Sequence, residues 1–459
     1  MYRKLRIILL VVLAIVLTFV ISFCWRSFPI ISGYGAKNLC SNVFIAGRSP
    51  EDVIKNELEG FPLSLGTYKV NLQDSSVTGT VFGFAKRVAI YRSGMGATLL
   101  NGVSKEDFYK EPRKTVAPYL TLADPALWPY SSKMNDSVIA GIDKKLINVA
   151  LDSAFGEPGE KKNRRTRAVV VVYDGQIIAE RYADGYSSRS KLIGWSMTKS
   201  ITNALLGILV KDGKLDVNAP APIAEWKNDD RKNITLKNLM QMSSGLKWEE
   251  NYTKSCDATN MLYKEKDMGG FALQAPIERK PNTFFYYSSG TTNILSHIVR
   301  ETIPASEYEN FPYTRLFYKI GMNSAVIEPD AGGTFVGSSY SFATARDWAK
   351  FGLLYLNDGV WNGERILPEG WVKYSTTPAT THPMGMYGAQ WWLNAGAPGN
   401  PAKREYPNVP ADCYWADGYE GQYVWVIPSK KLVIVRLALE HGNKMNADKF
   451  LHDIVNAVQ

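Results

Sequence analysis

Apolar and polar positions along the chain fall into three regimes. Ile7 to Trp25 form nineteen positions without a charge, flanked by Arg3, Lys4 and Arg6 before them and Arg26 after. A helix of that length crosses a hydrocarbon core of ~30 Å. Residues 27 to about 130 follow a different pattern. Val77 to Ala85 alternates and Arg87 to Tyr91 continues it, which predicts a small β-hairpin region. Proline-punctuated Glu111-Pro112 to Trp128-Pro129 predicts an extended connector.

From about residue 138 the third regime begins. Ile139 to Phe155 has helical, amphipathic spacing. Ala168 to Tyr173 and Gln176 to Glu180, joined by Asp174-Gly175, predict two antiparallel strands with a tight turn. A long helical middle runs from 197 to about 375, interrupted by loops. Tyr423 to Ile427 and Leu432 to Leu437 flank Pro428-Ser429-Lys430-Lys431 as a second hairpin, and a helix from about Met445 closes the chain. Strands at both ends with helices between them imply an α/β (α+β) fold. Its antiparallel sheet is assembled from distant segments, flanked by helices and carries a helical insert. The division expected is 1–26 as an anchor, 27–135 as a small hairpin-and-linker region, and 136–459 as the main domain.

The anchor reading comes from the segment's length and flanks. A cleaved signal has an apolar core of ~7–15 residues and a small-x-small cleavage site, and Val20-Ile21-Ser22-Phe23-Cys24 offers neither. Bulky Phe23 also makes Cys24 a poor lipoprotein acceptor. The three leading cations keep the amino terminus cytoplasmic and send the body across the inner or plasma membrane, to a periplasmic or extracellular location. An exported compartment permits disulfides. Both a Cys256–Cys413 bridge and two separate buried thiols fit the sequence, and Cys40 is left over.

Composition removes several function classes. With 45% hydrophobic and 21% charged residues over 459 positions, the chain buries a sizeable core and is not disordered. Only four cysteines and four histidines are present, with no CxxC, HExxH or DxDxDG pattern, so no metal site is expected. The phosphate-cradling GxxxxGK[ST] and GxGxxG are missing too, and no cofactor is expected. The net charge of +9 includes the run Lys161, Lys162, Arg164, Arg165 and Arg167. Without a nucleic-acid-binding module beside it, that run reads as a solvated loop, and no nucleic-acid partner is expected.

The candidate chemistry is a lysine-activated serine. GxSxG is absent, and none of the four histidines has the context of a Ser-His-Asp triad. Ser-x-x-Lys places an ammonium on the same helix face as a hydroxyl. The spacing occurs three times, at Ser188/Lys191, Ser196/Lys199 and Ser244/Lys247. Only Ser196 opens a nearly all-apolar helix, which ends at Lys211-Asp212-Gly213. Burial there lowers the pKa of Lys199 and lets it act as a base. Tyr287-Ser288-Ser289 precedes another helix, Asn293 to Glu301, and a tyrosine beside a lysine can pass protons. Ala416-Asp417-Gly418-Tyr419 leads into the strand Tyr423 to Ile427. There the Tyr419 N–H can pair with that of Ser196 as an oxyanion hole.

Taken together, these segments resemble the serine β-lactamase and penicillin-binding family, in its class-C-like esterase branch, over roughly 140 to 459. Gly194-Trp195-Ser196-Met197-Thr198-Lys199 is similar to the family's first motif. Tyr287-Ser288-Ser289 is similar to its Tyr-x-Asn, with serine for asparagine, and Ala416-Asp417-Gly418 stands where the family has Lys-Thr-Gly or His-x-Gly. Ile234 to Met240, Ser243 to Leu246 and Gly421 to Val426 add support. The resemblance implies a β-lactamase/transpeptidase-like fold, Ser196 as acylated nucleophile, Lys199 as its base and Tyr287 as proton shuttle.

Departures from the family pattern bear on the substrate. Where the family holds a substrate carboxylate with Lys or His, Ala416 and Asp417 remove a partner and add a like charge. That disfavours β-lactamase and D-Ala-D-Ala peptidase activity and brings the pattern closer to the nylon-oligomer hydrolases and related esterases. The expected substrate is a small-molecule ester or amide. Ser289, Trp248, Tyr286, Asp417 and Gly418 are the candidate binding residues, with Asp417 able to attract a cationic amine. The rival from another class is a non-catalytic envelope binding module on the same fold.

Overall fold

The run Thr166–Tyr173 forms a strand with no polar face. The structure, a computed structural model, describes residues 2–110, 128–130, 140–156, 164–440 and 444–458. In it this strand lies within a six-stranded antiparallel sheet, in the order 392–393, 414–418, 422–427, 432–438, 166–173, 176–182. Val169, Val171, Trp425 and Ile434 pack on one face with Ile147, Leu151, Phe450 and Ile454. Those four come from the helices Lys144–Phe155 and Ala447–Asn456. Val170, Val172, Val433 and Val435 turn the other way, into the core shared with the helix Ala345–Leu356. A strand buried on both faces turns neither face to water, so its sequence does not alternate apolar with polar positions. The Asp174-Gly175 turn has both residues at positive φ, 45° and 77°, the geometry of a two-residue hairpin loop.

The sheet joins distant segments as expected: Thr166–Tyr173 pairs with Leu432–Ala438, Val170 opposite Val435. Two expectations are corrected and one open alternative is decided. The first helix of the main domain begins at Lys144, where the Asp143 side chain accepts from the N–H groups of Lys145 and Leu146. The middle is not purely helical, because Val326–Ile327 and Ser341–Thr344 form a second sheet with Lys191–Ile193. Strands of two to four residues are too short to carry a readable period. All four cysteines are free, with Cys256 and Cys413 buried separately, so the bridge is not formed.

The amino-terminal region departs further from its expected boundaries. The helix does not end at Arg26 but runs from Tyr2 to Phe44. It is long and apolar enough to cross a membrane. Its first part is exposed, whereas Ile31–Gly33 and Gly35–Asn42 are buried against the body. The hairpin region is a four-stranded meander: Gly66–Asn71, Ser76–Val81, Phe84–Arg92 and Gly96–Leu99. It lies so close to the helix that a Cβ on Gly79 would be 2.4 Å from the Ser32 carbonyl oxygen. Of the expected connector, residues 111–127 lie outside the described residues.

A buried polar cluster ties helix, meander and body together. The Lys37 ammonium pairs with the Glu328 carboxylate, both with almost no exposed surface. Glu328 also accepts from the Ser41 hydroxyl at 2.8 Å and from the Ala97 N–H at 2.6 Å. Glu328→Ala leaves a buried ammonium without its counter-charge and is expected to cost about 3–5 kcal/mol in urea unfolding, most of it recovered when Lys37→Met is added. Equal stability of Glu328→Ala and the parent would show that the cluster is not structural.

Candidate active site

The nucleophile candidate sits at a strained corner. After the strand Lys191–Ile193 the chain makes a 3₁₀ turn, Trp195–Met197, and the α-helix begins only at Thr198 and runs to Lys211. Ser196 therefore lies in the approach to the helix rather than opening it. Trp195 adopts a φ of +47°, a region bulky side chains avoid at a cost of about 1–3 kcal/mol. Aromatic packing holds it there. Tyr34 of the amino-terminal helix stacks on it with ring centroids 6.2 Å apart, and Tyr340 and Tyr419 lie at 6.1 and 5.9 Å.

Lys199, one turn on, is 2% exposed. Its Nζ lies 3.0 Å from Ser196 Oγ, 3.1 Å from Ser289 Oγ and 2.9 Å from the Ser338 carbonyl oxygen. Burial pulls its pKa down to about 8, although the more distant charges of Glu250 and Asp417 pull upward. The other two Ser-x-x-Lys pairs lack this setting. Ser188 lies in an irregular segment and Lys191 starts a strand, while Ser244 sits in a loop and accepts from the Leu246 N–H at 3.4 Å.

Ser289 begins the helix Ser289–Thr302, earlier than its expected start at Asn293, because the preceding Ser288 caps it by accepting from the Thr291 N–H. Tyr287, just outside that helix, stands with its ring centroid 4.8 Å from the Lys199 Nζ. Desolvation raises its pKa well above the ordinary phenol value, and a hydrogen bond with Ser196 offsets part of that rise. It therefore stays protonated and able to donate. Tyr387 and Trp392 pack around it, at 6.1 and 5.6 Å.

Behind Ser289 lies a carboxylate that no sequence motif marks. Glu250 accepts from the Ser289 hydroxyl at 2.6 Å and its N–H at 3.0 Å, from the Tyr252 hydroxyl at 2.6 Å and from the Trp248 indole N–H at 2.6 Å. Glu250 and Tyr252 belong to the loop segment Trp248-Glu249-Glu250-Asn251-Tyr252, which has neither periodicity nor motif spacing. Trp248, one of the expected binding residues, thus shares the Glu250 carboxylate with Ser289. Tyr286, 40% exposed, lines a small cleft with Trp248, Arg279 and Phe284 that does not include Ser196, Lys199 or Tyr287.

The third segment is the strand Tyr414–Gly418, which runs beside the nucleophile turn. A Cβ on Gly418 would come within 2.1 Å of the Gly194 carbonyl oxygen, so only glycine permits this approach. Next in the chain, Tyr419 lies edge-on to Trp195, the residue before Ser196. Burial raises Asp417 to a pKa of about 7, while the Trp415 indole and the cations Lys444 and Lys199 draw it down. Among the described residues no group of three or more His, Cys, Asp or Glu could hold a metal. The arrangement suits proton transfer from a hydroxyl to an uncharged amine, with a phenol on the other side.

Known proteins share the fold of this chain. A 6-aminohexanoate-dimer hydrolase of Paenarthrobacter ureafaciens is 24% identical over 60% of this chain and 72% of its own. A family VIII carboxylesterase shares the fold with a TM-score of 0.54 at 14% identity, over 68% of this chain and 97% of its own. A penicillin-binding-protein homologue from Caulobacter crescentus does so with a TM-score of 0.52 at 13% identity, over 68% and 96%. The beta-lactamase family model matches residues 151–455, well over half of the chain, and the chain therefore belongs to the beta-lactamase family.

Proposed function

We propose that the protein is a serine hydrolase that cleaves a carboxylic ester or amide through an acyl-enzyme, held at a membrane by residues 7–25 with its body on the periplasmic or extracellular side. The observation that carries the chemistry is the Lys199 Nζ, buried, 3.0 Å from Ser196 Oγ and with a pKa of about 8. A neutral amine has two N–H bonds and one lone pair. Its N–H bonds donate to the Ser338 carbonyl and Ser289 Oγ, and its lone pair faces the Ser196 hydroxyl. Ser196 loses its proton to Lys199 as its oxygen attacks the carbonyl carbon. The N–H groups of Ser196 and Tyr419 hold the resulting oxyanion. Tyr287 donates a proton to the leaving alcohol or amine and is reprotonated from the Lys199 ammonium; water then cleaves the acyl-serine ester, its hydroxyl going to the acyl carbon and its remaining proton back to Ser196.

The chemistry of the third segment favours cationic over anionic substrates, since Ala416 and Asp417 stand where a carboxylate-binding cation is needed. A relative named as a 6-aminohexanoate-dimer hydrolase supports the amide option. Glu250 fixes Ser289 and so the direction of the Lys199 lone pair.

A fluorophosphonate should leave one adduct on the protein, seen by intact mass, and Ser196→Ala should abolish it; an adduct that persists in the variant would place the nucleophile elsewhere. The acylation rate should climb with pH as Lys199 loses its proton and flatten above about 8. Lys199→Met should lower kcat/KM by about 10²–10⁴-fold, and a flat profile would remove Lys199 as the base. Asp417→Lys should reverse any preference for cationic over anionic esters. In the parent that preference should weaken as pH falls through about 7 and the carboxylate is protonated.

A further inference from the structure

We infer that the end of the small meander from which the apolar helix emerges is a membrane-contact face, seating the body on a bilayer that contains anionic phospholipid. The inference rests on reading Ile7–Trp25 as a span, and its test separates the two.

Three contacts show the hairpin tracking the helix back toward the span. The Cys40 thiol lies 3.9 Å from the Ser75 carbonyl oxygen, the Ser32 hydroxyl donates to the Ala85 carbonyl at 2.6 Å, and the rings of Phe28 and Phe82 are 5.9 Å apart. The turn Phe82-Gly83-Phe84 is therefore level with Phe28, about one helical turn from Trp25. Gly66 pairs opposite Val81, which brings the preceding loop with Phe61 to the same end. Phe61, Phe82 and Phe84 are 84%, 66% and 70% exposed, and Trp25 is 82% exposed. Phenylalanine offers no hydrogen bond to water, so three exposed rings gathered around the exit of an apolar helix point to a surface that leaves water.

The charges nearby are those an anionic headgroup would meet. Arg26 and Lys264 line one cleft of about 370 Å³ with Ser255, Asn260, Phe271 and a single carboxylate, Glu265. Burial and the charges of Arg87 and Arg26 disfavour the Lys264 ammonium, and Glu265 is the one carboxylate that opposes them in this cleft. Lys86, at the start of the same hairpin strand, is exposed. Cations beside apolar rings at one level are the elements of an interfacial site, and the helix exit selects a bilayer over a protein partner because it fixes the face within a turn of the span. The same helix carries Tyr34, which stacks on Trp195. Tyr34 lies nine positions beyond Trp25, so the nucleophile turn is held about 14 Å along the helix from the end of the span.

The test uses the full chain in lipid nanodiscs with photoreactive benzoylphenylalanine placed singly at Phe82, Phe84, Val12 or Leu72. Val12 reports the span, and Leu72, 72% exposed in the turn at the opposite end of the meander, reports bulk water. Lipid adducts, read by mass, are expected at Val12, Phe82 and Phe84 and not at Leu72. Phosphatidylglycerol added to phosphatidylcholine should raise the Phe82 yield roughly twofold or more, and Arg87→Gln with Lys264→Gln should erase that gain. Thermal unfolding of the double variant, compared with the parent, reports that it folds. Adducts at Val12 with none at Phe82 and Phe84 would overturn the contact face and leave the span standing. None at Val12 would overturn both, and a Phe82 yield indifferent to phosphatidylglycerol would overturn the anionic headgroup.

Discussion

The site depends on taking one ammonium out of water without giving it a carboxylate in contact. Desolvation disfavours the charged form of Lys199, and its acceptors are a hydroxyl from its own turn, a hydroxyl from the Ser289 helix and a carbonyl from the loop before Ser341–Thr344. A carboxylate at that distance would have held the proton on the amine. Glu250 is instead kept one residue away, behind Ser289, where it orients the hydroxyl and exerts a weaker pull. The three acceptors come from separate parts of the chain, so the basic amine exists only once helical insert and sheet have closed on each other.

The strained Trp195 is the second constraint, and it explains why the amino-terminal helix belongs to the site's support. A positive φ at a tryptophan persists only where its surroundings over-determine it. Here those surroundings include Tyr34, carried by the helix that also contains the apolar segment. The Lys37–Glu328 cluster then fixes that helix to the strand region around Tyr340, itself in contact with Trp195. Helix, meander and the Trp195–Met197 turn thus form one connected packing unit.

Much of the fold and the three residues that meet at Lys199 could be read directly, and the departures have physical causes. The hairpins around Asp174-Gly175 and Pro428–Lys431 were legible because turn chemistry is local. Ser196, Lys199 and Tyr287 were legible because each sits at the start of an apolar or helical segment, and the structure brings the three together. Glu250 was not, since its role depends on where a loop without periodicity lands against Ser289. Tyr286 lines a different cleft from Tyr287 because neighbours in an extended segment point to opposite sides, and Tyr287 took the side of Lys199.

By itself, the sequence determined those features whose physics is local. These are the apolar amino-terminal stretch, the strands buried on both faces, the tight turns, and the serine and lysine one helical turn apart. Only the tertiary structure decided where the first helix ends, that the cysteines stay apart, that Trp195 is strained and that Lys199 is left without a carboxylate. Each of those depends on which distant groups become neighbours, and a pKa or a buried ion pair is a property of that neighbourhood rather than of the residue.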